Sequence, residues 1–250
     1  MKKIGWVLTS VVILLLVAGG GWAIFTRLNT AGPQPRALAA MQSTTEVTVS
    51  TDEWLVFTPA NRQPTAGFIF YPGGLVDPRA YAPMAQDIAA EGYLVIIVPM
   101  PFNLAVFGAG RATDVITAYP DIETWTIGGH SLGGAMASRY AHQNDEAVSG
   151  LALWAAFPAE NNDLSQNKLA VTSIFGTRDG LVSREDIEHS RQLLPPETVF
   201  VAIEGGNHAQ FGWYGPQEGD LPATISPAEQ HDRVVAGTVS LLRQLQLGRA

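Results

Sequence analysis

The chain reads as an α/β protein built on a mainly parallel sheet. Three observations predict it. Short, wholly apolar runs alternate with segments of helical spacing, these runs end in glycine-rich or polar exits, and a Gly-x-Ser-x-Gly pentad sits between one run and the helix that follows it.

Composition sets the outer limits. A chain of 250 residues with 46% hydrophobic and 15% charged side chains folds rather than remaining disordered. The formal charge of -8 leaves no basic face to displace counterions, which argues against a nucleic-acid partner. Cysteine is absent, so the chain carries neither a disulfide framework nor a thiolate site.

Lys2 and Lys3 precede an uncharged apolar run over residues 4–25, closed by Thr26 and Arg27. At 1.5 Å per residue that run spans about 33 Å, enough for a bilayer core of roughly 30 Å. Residues 1–26 are therefore expected to form a signal anchor, and the lysines favour an orientation that leaves the rest of the chain outside the cytoplasm, although Arg27 and Arg36 reduce the asymmetry. Secretion after cleavage near Ala37-Leu38-Ala39 is the alternative, but the run exceeds the usual 7 to 15 residues. Residues 27–45, with Gly32, Pro33, Pro35 and several Ser and Thr, read as a flexible linker. Residues 46–250 then form a single domain.

Within it, Val47 and Val49 alternate with polar residues, and together with Trp54 to Phe57 they predict an antiparallel pair at one edge. Gly67 to Tyr71 is a run of the kind buried on both faces, and it exits through Pro72-Gly73-Gly74. Asp77 and Pro78 open a helix with Tyr81, Met84, Ala85 and Ile88 on one face. Tyr93 to Val98 is the next strand, and its exit through Phe107 is suited to lining a pocket. A helix over Ala112 to Tyr119 stops at Pro120, and the strand from Thr124 leads into the pentad. Leu151 to Ala155, Ala170 to Phe175 and Val199 to Ile203 are further strands. Two capping boxes, Ser183 with Asp186 and Ser226 with Glu229, start the last helices.

In the pentad Gly129-His130-Ser131-Leu132-Gly133, the serine occupies a strained strand-to-helix turn that exposes its hydroxyl. It is the expected nucleophile. An acid and a histidine are then required later in the chain, and both appear at strand exits: Asp179 in Gly176-Thr177-Arg178-Asp179, and His208 in Gly205-Gly206-Asn207-His208. His208 is expected to shuttle the proton, with Asp179 fixing its tautomer. Glu160 or Asp163 is the alternative acid. His130 is assigned to packing or pocket shaping, and His142, His189 and His231 to exposed helix positions. The backbone N–H of Leu132 is the expected first oxyanion donor, with Gly74 or Gly73 as the second. Phe102, Trp213 and Tyr214 are candidates for contact with substrate.

These segments, with Tyr71-Pro72-Gly73-Gly74, resemble the α/β-hydrolase superfamily over about residues 46–246. Within it the chain is similar to compact, dienelactone-hydrolase-like bacterial members. The resemblance implies an eight-stranded, mostly parallel sheet flanked by helices and hydrolysis through an acyl-enzyme. It departs from dienelactone hydrolases proper in having serine where they carry a cysteine nucleophile. The brief connector over residues 157–169 leaves no room for a cap domain.

The expected activity is cleavage of small-molecule carboxylic esters, short-chain or exposed, without cofactor or metal: the chain holds no His-Glu-x-x-His and no phosphate loop. Two other functions fit the same residues, an acyltransferase using the triad and a non-catalytic, membrane-anchored binding protein.

Overall fold

The computed structural model describes Gly21 and residues 26–248. The expected anchor, apart from Gly21, Thr26 and Arg27, lies outside the described residues. No described helix is long and apolar enough to cross a membrane.

The stretch read from its composition as a linker lies against the domain. Ala31 N–H donates to Leu75 O and Ala31 O accepts from Asp77 N–H, a bridge that runs parallel to Val76. Helix α1, Pro35–Ala39, follows with proline in its first turn and buries Ala37 completely. Arg36 stacks over the Trp213 ring at 4.4 Å, and Gln86 Nε2 donates to the carbonyls of Ala40 and Gln42. The reason is local: Pro33 and Pro35 limit the backbone, and the exposed strand-exit groups at Leu75 and Asp77 take up its hydrogen bonds.

Strands β1 (Val47–Ser50) and β2 (Leu55–Pro59) form the antiparallel pair, and β2 continues antiparallel onto β4. After β3 (Ala66–Tyr71), Asp77 caps a 3-10 turn, Pro78–Tyr81, which runs into α2 (Ala82–Ala90). Then come β4 (Leu94–Ile97), α3 (Ala112–Ala118), β5 (Thr124–His130) and α4 (Leu132–Gln143). β6 (Gly150–Trp154) and β7 (Ala170–Gly176) are joined by turns alone. α5 (Arg184–Ser190), β8 (Val199–Ile203) and α6 (Pro227–Leu247) complete the domain. The sheet has eight strands in the order β1-β2-β4-β3-β5-β6-β7-β8, parallel from β4 to β8.

Alternation along the strands divides the core into two layers. Phe68 and Phe70 of β3 face α2 and α6, where Trp154 and Tyr81 join them, with the Phe70 and Trp154 ring centroids 4.5 Å apart. Ile69 and Tyr71 face the other way, onto α3 and α4. The edges differ in how they are covered. On β1 the outward N–H groups of Val47 and Val49 donate to Thr44 Oγ1 and Ser43 Oγ, and on β8 the Arg191 guanidinium lies 3.8 Å over the Phe200 ring.

The expected capping box at Ser183 forms in full. The one at Ser226 forms by half: Ser226 Oγ accepts from Glu229 N–H, but the Glu229 carboxylate turns to Arg233 one helical turn on, a better-placed charge partner than a neutral backbone donor.

Candidate active site

The polar exits of β3, β5, β7 and β8 meet at the carboxyl ends of the parallel strands, where α/β folds place their sites. Ser131 sits between β5 and α4 with φ 51° and ψ −123°, a left-handed conformation that costs a non-glycine residue roughly 1–3 kcal/mol. The neighbouring glycines make the turn possible. A Cβ on Gly133 would collide with the Tyr71 carbonyl, and one on Gly129 would lie 2.5 Å from the Gly133 backbone. Ser131 N–H is tied to Trp154 O at 3.0 Å, which fixes the turn against β6.

Asp179 and His208 come together. His208 Nδ1 lies 2.8 Å from Asp179 Oδ2, with both side chains almost wholly buried, at 1% and 0% exposure. The other carboxylate oxygen, Oδ1, accepts from the backbone of Leu181 and Val182 at 2.8 and 2.7 Å. Asp179 therefore makes both the local turn expected of an Asp there and the long-range bond to histidine. Because the carboxylate accepts at Nδ1, the imidazole carries its proton there and leaves the Nε2 lone pair available. Nε2 is buried and has no hydrogen-bond partner among the described residues. No hydrogen bond joins it to Ser131 Oγ. The ring of His130, the residue before Ser131, lies 4.5 Å from that of His208. In unliganded hydrolytic sites the bond from nucleophile to base is often long and tightens with substrate.

The alternative acids lie elsewhere. Asp163 is exposed and accepts from Ser165 N–H, and Glu160 is exposed in the turn after β6.

Gly73 and Gly74 are distinguished by their bonding. The Gly73 N–H donates to Tyr81 Oη at 3.0 Å, and the Leu75 N–H donates to Asn103 O, whereas the Gly74 N–H makes no hydrogen bond within the described residues. Gly74 also lies against Leu132, whose Cδ2 would stand 3.1 Å from a Cβ there. Leu132 is the first residue of α4, so helix geometry leaves its N–H without an intrahelical acceptor.

Three neighbours join them, of which Tyr81 and Asp220 had no signal in the sequence as site residues. Tyr81 Oη accepts from Gly73 and lies 2.9 Å from His130 Nδ1, to which it donates. His130 itself is buried, stacked 15° from parallel on Phe211, and held well below the usual histidine pKa first by burial and then by the nearness of His208. Asp220 ties the two exits together: Oδ1 accepts from Gly180 N–H at 3.0 Å and His208 N–H at 3.2 Å, and Oδ2 from Ala209 N–H at 2.8 Å. The sequence places Tyr81 only on a helix face and Asp220 only in a loop.

The proposed substrate contacts have different surroundings. Phe102 is 47% exposed beside the Gly74 loop. Trp213 is held between Arg36 and His231, and Tyr214 packs on Tyr81 and His130 with its hydroxyl on Gln217. His231, expected to be exposed, is fully buried: it accepts from Trp213 Nε1 and donates from Nε2 to Asp87 at 2.6 Å. The α6 face it occupies packs against α2, a contact the local helix pattern does not reveal. Among the described residues no group of three or more His, Asp or Glu converges as metal ligands would.

A serine on a strained turn at the end of a central strand of such a sheet is the arrangement of an α/β hydrolase. The chain belongs to the alpha/beta hydrolase family, whose model matches residues 67–232. Solved structures with the same fold include the esterase domain of a Rhodothermus marinus protein, 15% identical, with a TM-score of 0.56 and 78% of this chain and 98% of that one covered. A thermophilic esterase from the planctomycete Thermogutta terrifontis, with butyrate bound, is 12% identical with a TM-score of 0.59, covering 80% and 94%. A dienelactone hydrolase-like promiscuous phosphotriesterase from metagenomic libraries is 16% identical with a TM-score of 0.56, covering 77% and 92%. No curated protein matches the chain.

Proposed function

We propose that this chain is a serine hydrolase that cleaves carboxylic esters, held at a membrane by residues 4–25 with its domain outside the cytoplasm. The observation that carries the reading is the buried 2.8 Å bond from Asp179 to His208, which leaves Nε2 unpaired at the same end of the sheet as a serine in a strained turn.

In this reading His208 Nε2 takes the Ser131 hydroxyl proton as Oγ attacks the ester carbonyl carbon. The carbonyl oxygen becomes an oxyanion between the N–H groups of Leu132 and Gly74, each such donor being worth roughly 10²–10³ in rate. When the tetrahedral species collapses, the C–O bond to the alcohol breaks and His208 returns the proton to the leaving oxygen. Water then repeats the sequence on the acyl-enzyme, and the acid is released. Neutral His130 spares the charged form of His208 a second cation at van der Waals distance. The turns over residues 155–169 add no helix above the site, which suits a short or exposed acyl group. The butyrate held by the Thermogutta esterase is of that size.

Ser131→Ala tests the reading. Ester hydrolysis is expected to fall by at least about 10³-fold, and labelling by a fluorophosphonate to disappear, with the fold retained. A wild-type chain that neither hydrolyses esters nor takes up the fluorophosphonate at Ser131 would refute it.

A further inference from the structure

We infer that the face formed by Phe102, Val106 and Phe107 docks on a lipid bilayer and holds the mouth of the Ser131 site at the membrane surface, where it meets esters carried in the interfacial layer. This rests on the anchored reading of residues 4–25 and goes beyond it, since an anchor alone leaves the orientation of the domain open.

The first ground is the surface itself. Phe102, Val106 and Phe107 are 47%, 44% and 55% exposed, and Leu28, next to Arg27, is 79% exposed. The two phenylalanines meet edge to face with ring centroids 5.9 Å apart, so they form one apolar patch. Large apolar patches on a soluble surface mark contact with a partner or a membrane.

The second ground is that this patch is held out by the backbone. Phe102 and Asn103 both have positive φ, 56° and 54°, a costly conformation for residues with side chains. Asn103 is fixed on three sides: its N–H donates to Met100 O, its carbonyl accepts from Leu75 N–H, and its Nδ2 donates to Thr30 Oγ1 at 3.1 Å.

The third ground identifies the occupant. Asn103 is bonded to Thr30, and Thr26, Arg27, Thr30 and Phe102 line one hollow of about 430 Å³. Ala31 is then locked to Leu75 and Asp77. Only four residues separate Phe25, the last of the apolar run, from Thr30. The five steps between them span at most about 18 Å even when fully extended. A bilayer that holds residues 4–25 therefore lies within that distance of Thr30, on the side of this face. Arg27 and Arg111 flank the patch, and neither forms an ion pair among the described residues, Arg111 Nη1 donating only to the Pro99 carbonyl at 2.8 Å. On a chain of net charge -8, two guanidinium groups without a carboxylate partner at the rim of an apolar patch suit anionic headgroups.

The docked loop also touches the chemistry. Asn103 O holds the loop that carries Gly74, and Leu104 Cδ2 would stand 3.6 Å from a Cβ on Gly74. An ester in the interfacial layer would reach the oxyanion donors without crossing bulk water.

The absence of cysteine makes the test clean. Phe107→Cys and Val199→Cys, the latter on the far edge strand, are each labelled with an environment-sensitive NBD fluorophore in the full chain. The labelled chains are reconstituted in vesicles of phosphatidylcholine and phosphatidylglycerol, and flotation reports binding. The expected result is a blue-shifted label at position 107, quenched by nitroxide-bearing lipid, and an unshifted label at 199. The pair Val106→Ser and Phe107→Ser is expected to slow hydrolysis of the acetate ester of a long-chain alcohol dissolved in the vesicles by at least about tenfold, given what burial of a Val and a Phe contributes. Cleavage of a water-soluble acetate ester should be unchanged. A chain that floats with the vesicles while both labels stay in water overturns the docking and leaves the anchor standing. A chain that does not float overturns both. The label reports position without any turnover, so failure of the esterase reading shows separately.

Discussion

Two histidines lie ring to ring in this site, and their surroundings assign them different states. His130 is buried and held neutral, with its folded pKa well below the ordinary 6.5. The unfolded chain therefore binds a proton there that the folded chain refuses. The His130 contribution to stability is complete above about pH 6.5 and is lost as pH falls below it, at up to about 1.4 kcal/mol per pH unit. Denaturant unfolding at pH 7 and pH 5 should show this loss, and His130→Gln should flatten it. Tyr81 belongs to the same cluster. Burial keeps its phenol protonated, so it can donate to His130 while accepting from Gly73. Tyr81→Phe removes both bonds and leaves two buried polar groups unpaired. A fall in kcat of about tenfold with little change in KM is expected, as the loop carrying Gly74 loses its anchor. Steady-state kinetics on a soluble ester would check it. Motif and chain order name Ser131, Asp179 and His208, and of these the fold joins Asp179 to His208 by a hydrogen bond. Gly74 was not separable from Gly73, since what distinguishes them is that Tyr81, folded back from eight residues along, takes the Gly73 N–H and leaves that of Gly74 unbonded.

At the scale of elements, the exits of β7 and β8 depend on the loop ahead of α6. The Asp220 carboxylate is the shared acceptor for backbone of both, and it does not reach the candidate oxyanion donors. Asp220→Ala is expected to lower kcat by about 10- to 100-fold with KM nearly unchanged, because the N–H groups of Gly180, His208, Ala209 and Leu221 lose a charged acceptor and the Asp179–His208 pair loses its register. Asp220→Asn, which keeps one acceptor oxygen, should fall between; equal effects of the two would show that charge rather than geometry is what matters. The strands were legible to within a residue or two because a wholly apolar run bounded by Gly and Pro has few other readings. The half-formed box at Ser226 was less so, since Glu229 had a choice of partners and Arg233 won. His231 was misplaced for a related reason: a helix pattern shows its own faces but not the Asp87 and Trp213 that another element brings to them.

Across the whole molecule, the segment between the apolar run and the sheet is part of the fold. It spans from the Ala31 bridge to the Gln86 bonds, buries Ala37 completely and lays Arg36 over Trp213. A chain shortened to begin at Glu46 should unfold on the order of 5–10 °C below one beginning at Thr26, as a few kcal/mol of packing and hydrogen bonds are removed. Thermal scans of the two would decide it. Its composition suggested a tether because proline, glycine, serine and threonine serve both free and strapped chain, and only the tertiary partners distinguish the two.

The capped first strand of the sheet has a consequence for crowded surroundings. A strand from a second molecule needs a row of unsatisfied amides to zip onto, and at that end serine and threonine side chains have already taken them. At the other, a cation sits over the outermost aromatic ring, and a neighbour would have to strip its hydration to approach from that side. Copies at high local density are thus hindered from polymerising when they collide.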